Sequence, residues 1–413
     1  MTNPLGERVV VIGAGQAGFE TCAQLRALGH SGPIALVGAE AHRPYQRPPL
    51  SKAYLLGKME LDRLFFRPAR YFEDERIDLH LSTTCTGIDR QARQLRLSDG
   101  ATLGYEALVL ATGARPIRLS EDIGGALSGV HYMRDLADAD ALASRITPGA
   151  RVLVVGGGYI GLEAAAVCAG LGLRVVVVEA APRILQRVAS AETSAYFRQL
   201  HRARGVERRE RTQLTRLLGE AGRLTGAELS DGSTISADIA IVGIGVRPNQ
   251  ELAQAAGLTV DDGIRVDARC RTGDPAIFAA GDCASFPHGD GHLRLESVGN
   301  AIDQAQVVAR AIIGQEPTYD PRPWFWSDQF DTKLQIAGLS QGHDRVVARK
   351  GDGAAVSYWY YREGRLIAID AMNDPRAYMV AKRMIERGSS PDPDSVADPA
   401  TDLKGLLAAP AAT

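Results

Sequence analysis

The sequence predicts an α/β protein with two similar nucleotide-binding units and a smaller α+β domain towards the C-terminus. Three observations support this fold class. A strand–glycine turn–helix–strand pattern near residue 13 recurs near residue 156, and each copy is followed by a further strand that ends in a turn. All three tryptophans lie at or beyond residue 324, where strands and one helix follow a different pattern. The length of 413 residues suffices for two or three domains with separate cores.

The first unit has the features of a dinucleotide site. Its predicted elements are, in order, a buried parallel strand over residues 9–12, a helix over 19–28 and a second strand over 34–37. Between the first strand and the helix, Gly13 permits the turn, Gly15 lets backbone N–H groups approach a pyrophosphate, and Gly18 allows close packing. The helix N-terminus offers unpaired donors to phosphates. Residues 8–40 therefore predict a Rossmann-like unit, with Glu40 placed to accept from ribose hydroxyls.

The second unit repeats the pattern over residues 151–181. Its predicted elements are a strand over 152–155, a helix over 162–171 and a strand over 175–178. Gly156, Gly158 and Gly161 stand in a similar glycine turn, and Glu179 follows at about the expected ~20-residue spacing. Its carboxylate suits the free 2′-hydroxyl of NAD and would repel a 2′-phosphate, so the sequence favours NADH. Arg183 keeps NADPH as the alternative.

Each unit is followed by a hairpin signal and then by a strand that ends in a turn. The hairpin signals are Asp99-Gly100 and Asp231-Gly232, and the two strand ends lie at residues 108–116 and 239–249. Farther along, residues 274–282 predict a strand that delivers Asp282 at a glycine turn. Asp282 either accepts from sugar-alcohol hydroxyls or caps a helix.

The predicted domains follow from these patterns. Residues 1–116 and 249–322 form a first, discontinuous domain, residues 117–248 the second, and residues 323–413 the C-terminal α+β domain. Within the last domain, strands are predicted over 355–361 and 366–370 and a helix over 375–387. Residues 388–402 are rich in Ser, Pro and Asp and predict a flexible linker before a short terminal helix.

Composition and cysteine spacing exclude several classes. The net charge of −2 gives no bulk reason to expect a nucleic acid or membrane partner. No apolar run reaches ~18 residues and no basic leader precedes residues 9–12, so we expect a cytoplasmic protein. The five cysteines form no Cys-x-x-Cys pair, and we therefore expect neither dithiol chemistry nor a metal site.

Several motifs together resemble a known family. They are Pro44 to Lys52, Ala111-Thr112-Gly113, Gly156 to Glu163, Gly281-Asp282, Glu296-Ser297-Val298 and Trp324 to Gln329. With them the chain resembles the putidaredoxin reductase-like, FAD-dependent NADH:ferredoxin reductases of bacterial oxygenase systems, which have a pyridine nucleotide-disulfide oxidoreductase fold. The resemblance implies a pair of glutathione reductase-like domains, the first holding FAD non-covalently and the second binding NADH.

The motifs and the resemblance name two sets of contact residues. Those for FAD are Gly13, Gly15, Ala17, Gly18, Ala39, Glu40, Lys52, Cys85, Ala111, Thr112, Gly113, Arg134, Asp282 and Val298. Those for NADH are Gly156, Gly158, Ile160, Gly161, Glu179, Gly245 and Glu296. Family members often carry an acid where this chain has Ala39. Either Glu40 takes over that ribose contact or it is exposed.

The implied reaction is hydride transfer from NADH to FAD, followed by single-electron transfer to a 2Fe-2S ferredoxin that feeds a cytochrome P-450 or another oxygenase. Lys52 would stabilise negative charge on reduced flavin, Glu163 would pair with Lys52, and Trp324 would lie near the nicotinamide. The plainer alternatives are a helix-capping surface lysine and a purely structural pair. An acidic ferredoxin would be attracted by exposed basic residues, for which the candidates are Arg63, Arg67, Arg70, Arg76, Lys382, Arg383 and Arg387.

Other functions remain open at this point. A rubredoxin could replace the ferredoxin, or the chain could be a non-catalytic flavoprotein similar to the apoptosis-inducing factor. A flavin disulfide reductase is disfavoured because residues 41–58 contain no cysteine. We expect a monomer or a weak dimer.

Overall fold

The described residues of the computed structural model, 8–408, fall into two compact units. Unit 1 comprises residues 8–46, 60–115 and 246–323, and unit 2 comprises residues 47–59, 116–245 and 324–408. No helix in the described part of the chain is long and apolar enough to cross a membrane. The predicted division into three domains remains a prediction.

Unit 1 is centred on a five-stranded parallel sheet. Its strands are, in spatial order, Ile277–Ala279, Ala107–Leu110, Val9–Ile12, Ile34–Val37 and Ile77–His80. Every residue of Val9–Ile12 is buried, as its run of β-branched side chains requires. The strands predicted over 9–12 and 34–37 are confirmed with the same bounds.

Helices and smaller sheets surround this central sheet. The helices are Gln16–Ala27, Ala69–Asp74, Glu251–Ala255 and Val298–Ile312, with a 3-10 turn at Leu61–Arg63. The smaller sheets are formed by Cys85–Asp89 with Gln94–Leu97 and Thr102–Gly104, by Ile264–Arg265 with Ala284–His288 and Gly291–Leu293, and by Ala114–Pro116 with Val246–Pro248. Gly100 has a φ of +84° in the hairpin between Gln94–Leu97 and Thr102–Gly104, which confirms that turn.

Unit 2 contains a second parallel sheet with the same central arrangement. Its strands are, in spatial order, Glu207–Glu210, Arg174–Glu179, Arg151–Val155, Ile239–Val242 and Val130–His131. In both units the strand before the glycine turn lies between the next strand of its motif and the later strand that ends in a turn. The repeat seen in the sequence is therefore a repeat of sheet topology.

Three helices and an antiparallel sheet accompany this second sheet. The helices are Leu136–Ala143, Tyr159–Gly170 and Ala191–Ala203, with 3-10 turns at Pro48–Ser51 and Glu121–Ile123. The antiparallel sheet consists of Leu214–Glu220, Arg223–Leu229 and Thr234–Ser236. Its second hairpin turns at Asp231-Gly232, as predicted.

The C-terminal part of unit 2 is a five-stranded antiparallel sheet with helices. The strands are, in spatial order, Trp324–Gln329, Thr332–Gly338, Arg365–Met372, Val356–Arg362 and Arg345–Lys350. The helices are Pro375–Arg387, Pro393–Ala397 and Leu403–Ala408. The first of them has the predicted bounds, with Asp374 as its N-cap and Gly388 in the left-handed conformation at its end.

Residues 388–402, for which the sequence predicts a flexible linker, pack against the C-terminal sheet. Val396 in helix Pro393–Ala397 is fully buried. The Arg349 guanidinium donates to the backbone carbonyls of four residues in this segment, which are Val396, Asp398, Pro399 and Thr401. One buried arginine thus satisfies the carbonyls that an irregular segment leaves unpaired.

Candidate functional site

The glycine turn of unit 1 is packed on two sides and open on the third. Gly13 has a φ of +111°, and a Cβ atom there would overlap the carbonyl oxygen of Ala111. A Cβ on Gly18 would overlap the carbonyl oxygen of Gly13. A Cβ on Gly15, by contrast, would meet no protein atom within 4 Å. Gly13 and Gly18 are therefore required by the fold, whereas Gly15 borders free space.

The glycine turn of unit 2 has the same three environments. Gly156 has a φ of +107° and contacts the carbonyl of Gly243, Gly161 contacts the carbonyl of Gly156, and Gly158 borders free space. Gly243 directly follows strand Ile239–Val242, as Ala111 directly follows strand Ala107–Leu110. In each unit, the residue that follows the later strand therefore packs directly against the first glycine of the turn.

The two helices that follow these turns have no side-chain caps. Gly15 and Gly158 are their N-cap residues, and no side chain accepts from their first-turn N–H groups. Helices Ala191–Ala203, Val298–Ile312 and Pro375–Arg387 are each capped by a Ser or Asp side chain. Donors left unpaired beside free space fit a phosphate group. The residues present therefore fit a bound dinucleotide in each unit.

Glu179 is held at the end of its strand by two backbone donors. Gly157 N–H donates to its Oε2 at 2.6 Å and Ala181 N–H to its Oε1 at 2.7 Å. Each carboxylate oxygen keeps a lone pair for a further donor. A Cβ on Gly157 would come within 2.6 Å of Ile184 and 3.1 Å of Glu179. Gly157 thus fixes the position of Glu179, a contact that the sequence did not indicate although Gly157 is the middle glycine of an uninterrupted triplet.

Arg183 is the cation for which the sequence left NADPH as an alternative, and its side chain binds other groups of the protein. Its guanidinium donates to the carbonyls of Ser190, Gln186 and Ala189 and to the hydroxyl of Ser194. It therefore stabilises the loop before helix Ala191–Ala203, and its Nη donors are used within the protein.

The remaining NADH candidates fall in both units. Ile160 in the first turn of its helix is 43% exposed, and Gly245 has a φ of +120° with its carbonyl accepting from Ile117. Ile244, which sequence reasoning did not select, is 38% exposed. Glu296 belongs to unit 1, where it pairs with Arg294 at 2.7 Å. The structure thus leaves two large apolar side chains exposed beside the glycine turn of unit 2.

Glu40 is half-buried and fixed by a neighbour. The hydroxyl of Tyr45 donates to its Oε2 at 2.5 Å, and Ala39 beside it is exposed. The chain before Cys85 returns to this place, because Ser82 N–H donates to the carbonyl of Glu40. The structure therefore brings Glu40 and the segment leading to Cys85 together. The sequence indicates Tyr45 only as part of a motif, because no local pattern reveals that Glu40 is its partner.

The turn Ala111-Thr112-Gly113 is closed by Asn249. The Thr112 hydroxyl donates to the Asn249 carbonyl at 2.6 Å, and the Asn249 side chain donates back to the Thr112 carbonyl at 2.8 Å. Asn249 N–H also donates to the Gly113 carbonyl at 2.9 Å. These three bonds tie the two chain passages of unit 1 together beside Gly13.

Asp282 lies at the glycine turn predicted for it. Gly281 has a φ of +82° and donates its N–H to buried Gln304, and a Cβ on it would lie 3.0 Å from the Cβ of Ala17. Asp282 is half-buried, and Val298 begins the helix that packs against Gln16–Ala27. The turn that carries Asp282 therefore lies against both helices, at Ala17 of the first and Ala301 of the second.

Lys52 and Glu163 form an ion pair in unit 2. The Lys52 ammonium lies 2.5 Å from Glu163 Oε2, with side chains 17% and 4% exposed. Two hydroxyls share the carboxylate: Ser51 donates to Oε2 at 2.9 Å and Ser327 to Oε1 at 2.8 Å. The predicted pair is therefore present, although its role stays a prediction. The two serines were missed because their partner is more than a hundred residues away in sequence.

Trp324 and Arg134 lie in the same unit. Trp324 is half-buried, stacks on Trp326 with ring centroids 5.5 Å apart, and lines a cavity of about 240 Å³. The next residue, Phe325, packs on Tyr159 at the start of helix Tyr159–Gly170. Arg134 is half-buried, and its carbonyl accepts from the Arg47 guanidinium at 2.8 Å.

The thiols are unsuited to nucleophilic chemistry. All five cysteines are free, and burial raises the pKa of Cys22 and of Cys168 to about 12. Burial also raises the pKa of Cys85, the cysteine assigned to the FAD set. Thiolates are the reactive form, and these side chains hold the proton. Within residues 8–408 no group of three His, Cys, Asp or Glu side chains is arranged to hold a metal ion.

Comparison with known proteins agrees with this geometry. The pyridine nucleotide-disulphide oxidoreductase family matches residues 7–305, and the reductase C-terminal family matches residues 324–407. A ferredoxin–NAD(P)(+) reductase from Sphingomonas sp is 44% identical over 405 residues, 97% of either chain. The ferredoxin–NAD(+) reductase component of an anthranilate 1,2-dioxygenase system from Burkholderia cepacia is 43% identical over 403 residues, covering 96% of this chain and 98% of its own.

A solved structure extends the comparison to three dimensions. The crystal structure of a covalent putidaredoxin reductase–putidaredoxin complex contains a chain that superposes with a TM-score of 0.94 at 39% identity, covering 98% of both chains. The resemblance to oxygenase-system ferredoxin reductases and the predicted fold class are thereby confirmed. The chain is an oxidoreductase that belongs to the pyridine nucleotide-disulphide oxidoreductase family and carries the family's reductase C-terminal domain.

Proposed function

We propose that this protein is an NADH-dependent ferredoxin reductase that binds FAD in unit 1 and NADH in unit 2 and supplies electrons to an oxygenase. The observation that carries the proposal is the pair of uncapped helix N-termini, each of which lies beside a glycine that borders free space. Glu179 is fixed beside the one in unit 2. One such site alone would suit many nucleotide-binding proteins. Two in one chain suit a reaction between two dinucleotides.

The residues of unit 1 assigned to FAD would hold its two ends. The first-turn N–H groups after Gly15 would bind the pyrophosphate, and Glu40, oriented by Tyr45, would accept from the ribose. Asp282 would accept from the sugar-alcohol chain, beside Ala17 and Val298. When bound, FAD takes up a hydride from a nicotinamide and returns the electrons one at a time.

Glu179 and Arg183 support NADH over NADPH. Both oxygens of Glu179 face backbone donors at the strand end, so its charge is held where a ribose 2′-phosphate would stand. The Nη donors of Arg183 bind groups of the protein and are not available to such a phosphate. Exposed Ile160 and Ile244 would provide the apolar surface for the nicotinamide half.

Lys52, Glu163 and Trp324 are the proposed catalytic residues. The Lys52 ammonium would stabilise negative charge on the reduced flavin, and Glu163 would hold that ammonium in place. Trp324 would exclude water beside the nicotinamide. The arrangement supplies orientation and charge, and the cofactor supplies the redox chemistry.

The proposed electron acceptor is a 2Fe-2S ferredoxin, and we propose a cytoplasmic monomer or weak dimer. The names of the relatives support a ferredoxin, and five free thiols fit a reducing compartment. The test is NADH oxidation by the FAD-loaded protein with a panel of purified 2Fe-2S ferredoxins and rubredoxins, followed by substrate turnover in a coupled oxygenase.

We expect fast reduction of at least one 2Fe-2S ferredoxin, oxygenase turnover, and slow reduction of every rubredoxin. Faster turnover with a rubredoxin would replace the proposed acceptor. Dimerisation on NADH with no electron delivery to any acceptor would instead point to a non-catalytic flavoprotein.

A further inference from the structure

A line of hydrogen bonds leads from Glu163 into the C-terminal sheet of unit 2. Ser327 Oγ lies 2.8 Å from Glu163 Oε1, Gln329 Nε2 lies 3.1 Å from Ser327 Oγ, and His201 Nε2 lies 2.8 Å from Gln329 Oε1. Ser327, Gln329 and His201 are completely buried. The line therefore connects the Lys52–Glu163 pair to helix Ala191–Ala203 without contact with solvent.

The orientation of the Gln329 amide sets the direction of every bond in this line. The amide nitrogen of Gln329 donates to Ser327, so its oxygen faces His201 and must accept. His201 therefore carries its proton on Nε2. Burial lowers the pKa of His201 to about 4, so the ring is neutral near pH 7, and its Nδ1 has no partner within residues 8–408. All donors in the line point towards Glu163.

Glu163 is the common acceptor at the end of the line. It receives hydrogen bonds from Lys52, Ser51 and Ser327 on its two oxygens. Only an ionised carboxylate, which is acceptor-only, satisfies all three donors. Each donor farther along polarises the next, so Gln329 and His201 strengthen the Ser327 bond although neither contacts Glu163. A carboxamide does not readily pass on a proton, so the line serves orientation and charge.

We propose that Ser327, Gln329 and His201 are positioning residues that draw part of the Glu163 charge away from Lys52, and so determine how strongly Lys52 stabilises the reduced flavin. This inference rests on the proposed function for the place of Lys52 at the flavin. A purely structural role would require only that these buried polar groups satisfy one another. The proposed role requires in addition that their loss changes the charge sensed by the flavin.

The first test measures the tautomer of His201 in the FAD-loaded protein. Long-range ¹H–¹⁵N NMR correlations of the histidine rings would be recorded from pH 5.5 to 8, with His201→Gln used to assign the signal. We expect a neutral ring protonated on Nε2 throughout this range. A ring protonated on Nδ1, or a cation at pH 6, would overturn the proposal.

The second test measures the equilibrium constant for two-electron reduction of the bound flavin. In Gln329→Met, Ser327 becomes a weaker donor to Glu163, so more of the Glu163 charge acts on Lys52. We therefore expect the equilibrium constant for flavin reduction to fall about fivefold, which is the effect of ~1 kcal/mol from one hydrogen bond. In Glu163→Gln the ammonium loses its counter-charge, and the constant should rise. General damage to the fold would not move the two variants in opposite directions.

Two further variants complete the design. Ser357→Ala removes another fully buried serine of the same sheet, whose partners are Trp359 and Asp374, and should leave the constant unchanged. Ser327→Thr keeps the hydroxyl and should retain the wild-type value. Gln329→Met with a wild-type constant overturns the inference. Failure of the wild-type protein to bind FAD or oxidise NADH would instead overturn the proposed function, while the His201 measurement, repeated on the protein without FAD, remains decisive for the line itself.

Discussion

At the scale of single residues, the proposed preference for NADH over NADPH depends on the charge of Glu179. Its carboxylate is fixed by the N–H groups of Gly157 and Ala181, so it cannot swing away from a 2′-phosphate without losing both bonds. In Glu179→Ala we expect KM for NADH to rise about 10-fold or more, since a hydrogen bond to a charged group contributes ~1.5–3 kcal/mol. The preference for NADH over NADPH should shrink by at least as much.

Steady-state kinetics with both nucleotides check this prediction. Glu228→Ala is a matched control, because Glu228 pairs with Arg216 on an antiparallel strand outside the glycine turn. An unaltered nucleotide preference in Glu179→Ala would contradict the assigned role.

At the scale of elements, the glycines at the start of helix Gln16–Ala27 fall into two kinds. Gly18 lies inside the helix and lets it approach Gly13, whereas Gly15 borders the free space assigned to the pyrophosphate. In Gly15→Ala we expect a protein that folds as the apoprotein but binds FAD at least 10-fold more weakly. In Gly18→Ala the new methyl group overlaps the Gly13 carbonyl, and we expect loss of folded protein.

FAD titration and circular dichroism of the two apoproteins distinguish these outcomes. Gly29→Ala replaces a further glycine of unit 1, at the other end of the same helix, and should lower stability without affecting the affinity of folded protein for FAD. Equal FAD affinity in Gly15→Ala and the wild type would remove the basis for placing the pyrophosphate there.

Local sequence patterns predicted the bounds of an element well where a single pattern, such as a buried apolar run, determines it. Strand bounds at 9–12 and 34–37 follow from buried apolar runs, and helix Pro375–Arg387 follows from its proline start and glycine end. Both nucleotide helices begin three residues earlier than predicted, at Gln16 and Tyr159. The sequence pattern places Gly18 and Gly161 in the turn before the helix, whereas they lie inside the helix, where Gly18 serves the close packing that was predicted for it.

The site was predicted less completely because its polar contacts are long-range. The Lys52–Glu163 pair was expected only through a family resemblance, and its partners Ser51 and Ser327 come from opposite parts of the chain. The order of residues 388–402 depends on Arg349, which no local pattern connects to them. Composition alone therefore indicates a linker where tertiary contacts produce a packed segment.

At the scale of the whole molecule, stability should depend on one buried acid of unit 2. Asp370 accepts from Thr193 at 2.7 Å and from the Tyr360 hydroxyl, and burial raises its pKa from 3.8 to about 6. The ring of exposed His343 packs on Tyr360, and its charge favours the ionised form of Asp370. The unfolded chain releases this proton near pH 3.8 and the folded chain only near pH 6. Between these values the folded state therefore loses stability as pH rises, by about 3 kcal/mol in total.

Asp370→Asn should abolish that loss. Relative to the wild type, the free energy of unfolding of the variant should increase from pH 4 to pH 6 and then stay level, whatever constant offset the new amide introduces. Denaturant unfolding at four pH values measures it. Asp394→Asn, at an exposed side chain paired with Arg345, should run parallel to the wild type. A parallel curve for Asp370→Asn as well would refute the prediction.

Association with an acidic partner should depend on exposed arginines in spite of the net charge of −2. In unit 1, Arg63 and Arg76 are exposed and have no carboxylate partner among the described residues, whereas Arg70 is paired with Asp74. Raising ionic strength from ~0.02 to ~0.2 M should lower kcat/KM for the ferredoxin about 10-fold, because steering acts through screened charges. Oxidation of NADH by ferricyanide should change little.

The double variant Arg63→Gln, Arg76→Gln should show a weaker salt dependence than the wild type. Arg216→Gln, at an arginine already paired with Glu228 in unit 2, should keep the wild-type dependence. A salt response identical in all three proteins would exclude steering by this surface of unit 1.

Strand Trp324–Gln329 has a consequence for which sequence changes the chain tolerates. Ser327 and Gln329 alternate with Trp326, so the strand gives its polar residues to the Glu163 line and its indoles to the aromatic cavity. A slip of one residue against the neighbouring strand Thr332–Gly338 would exchange the two faces of the strand. An indole would then be buried beside Glu163 in the place of the hydroxyl of Ser327. Functional variants should therefore contain no insertion or deletion within this strand. The turn at residues 330–331 should tolerate replacement by any turn that preserves the register of the two strands.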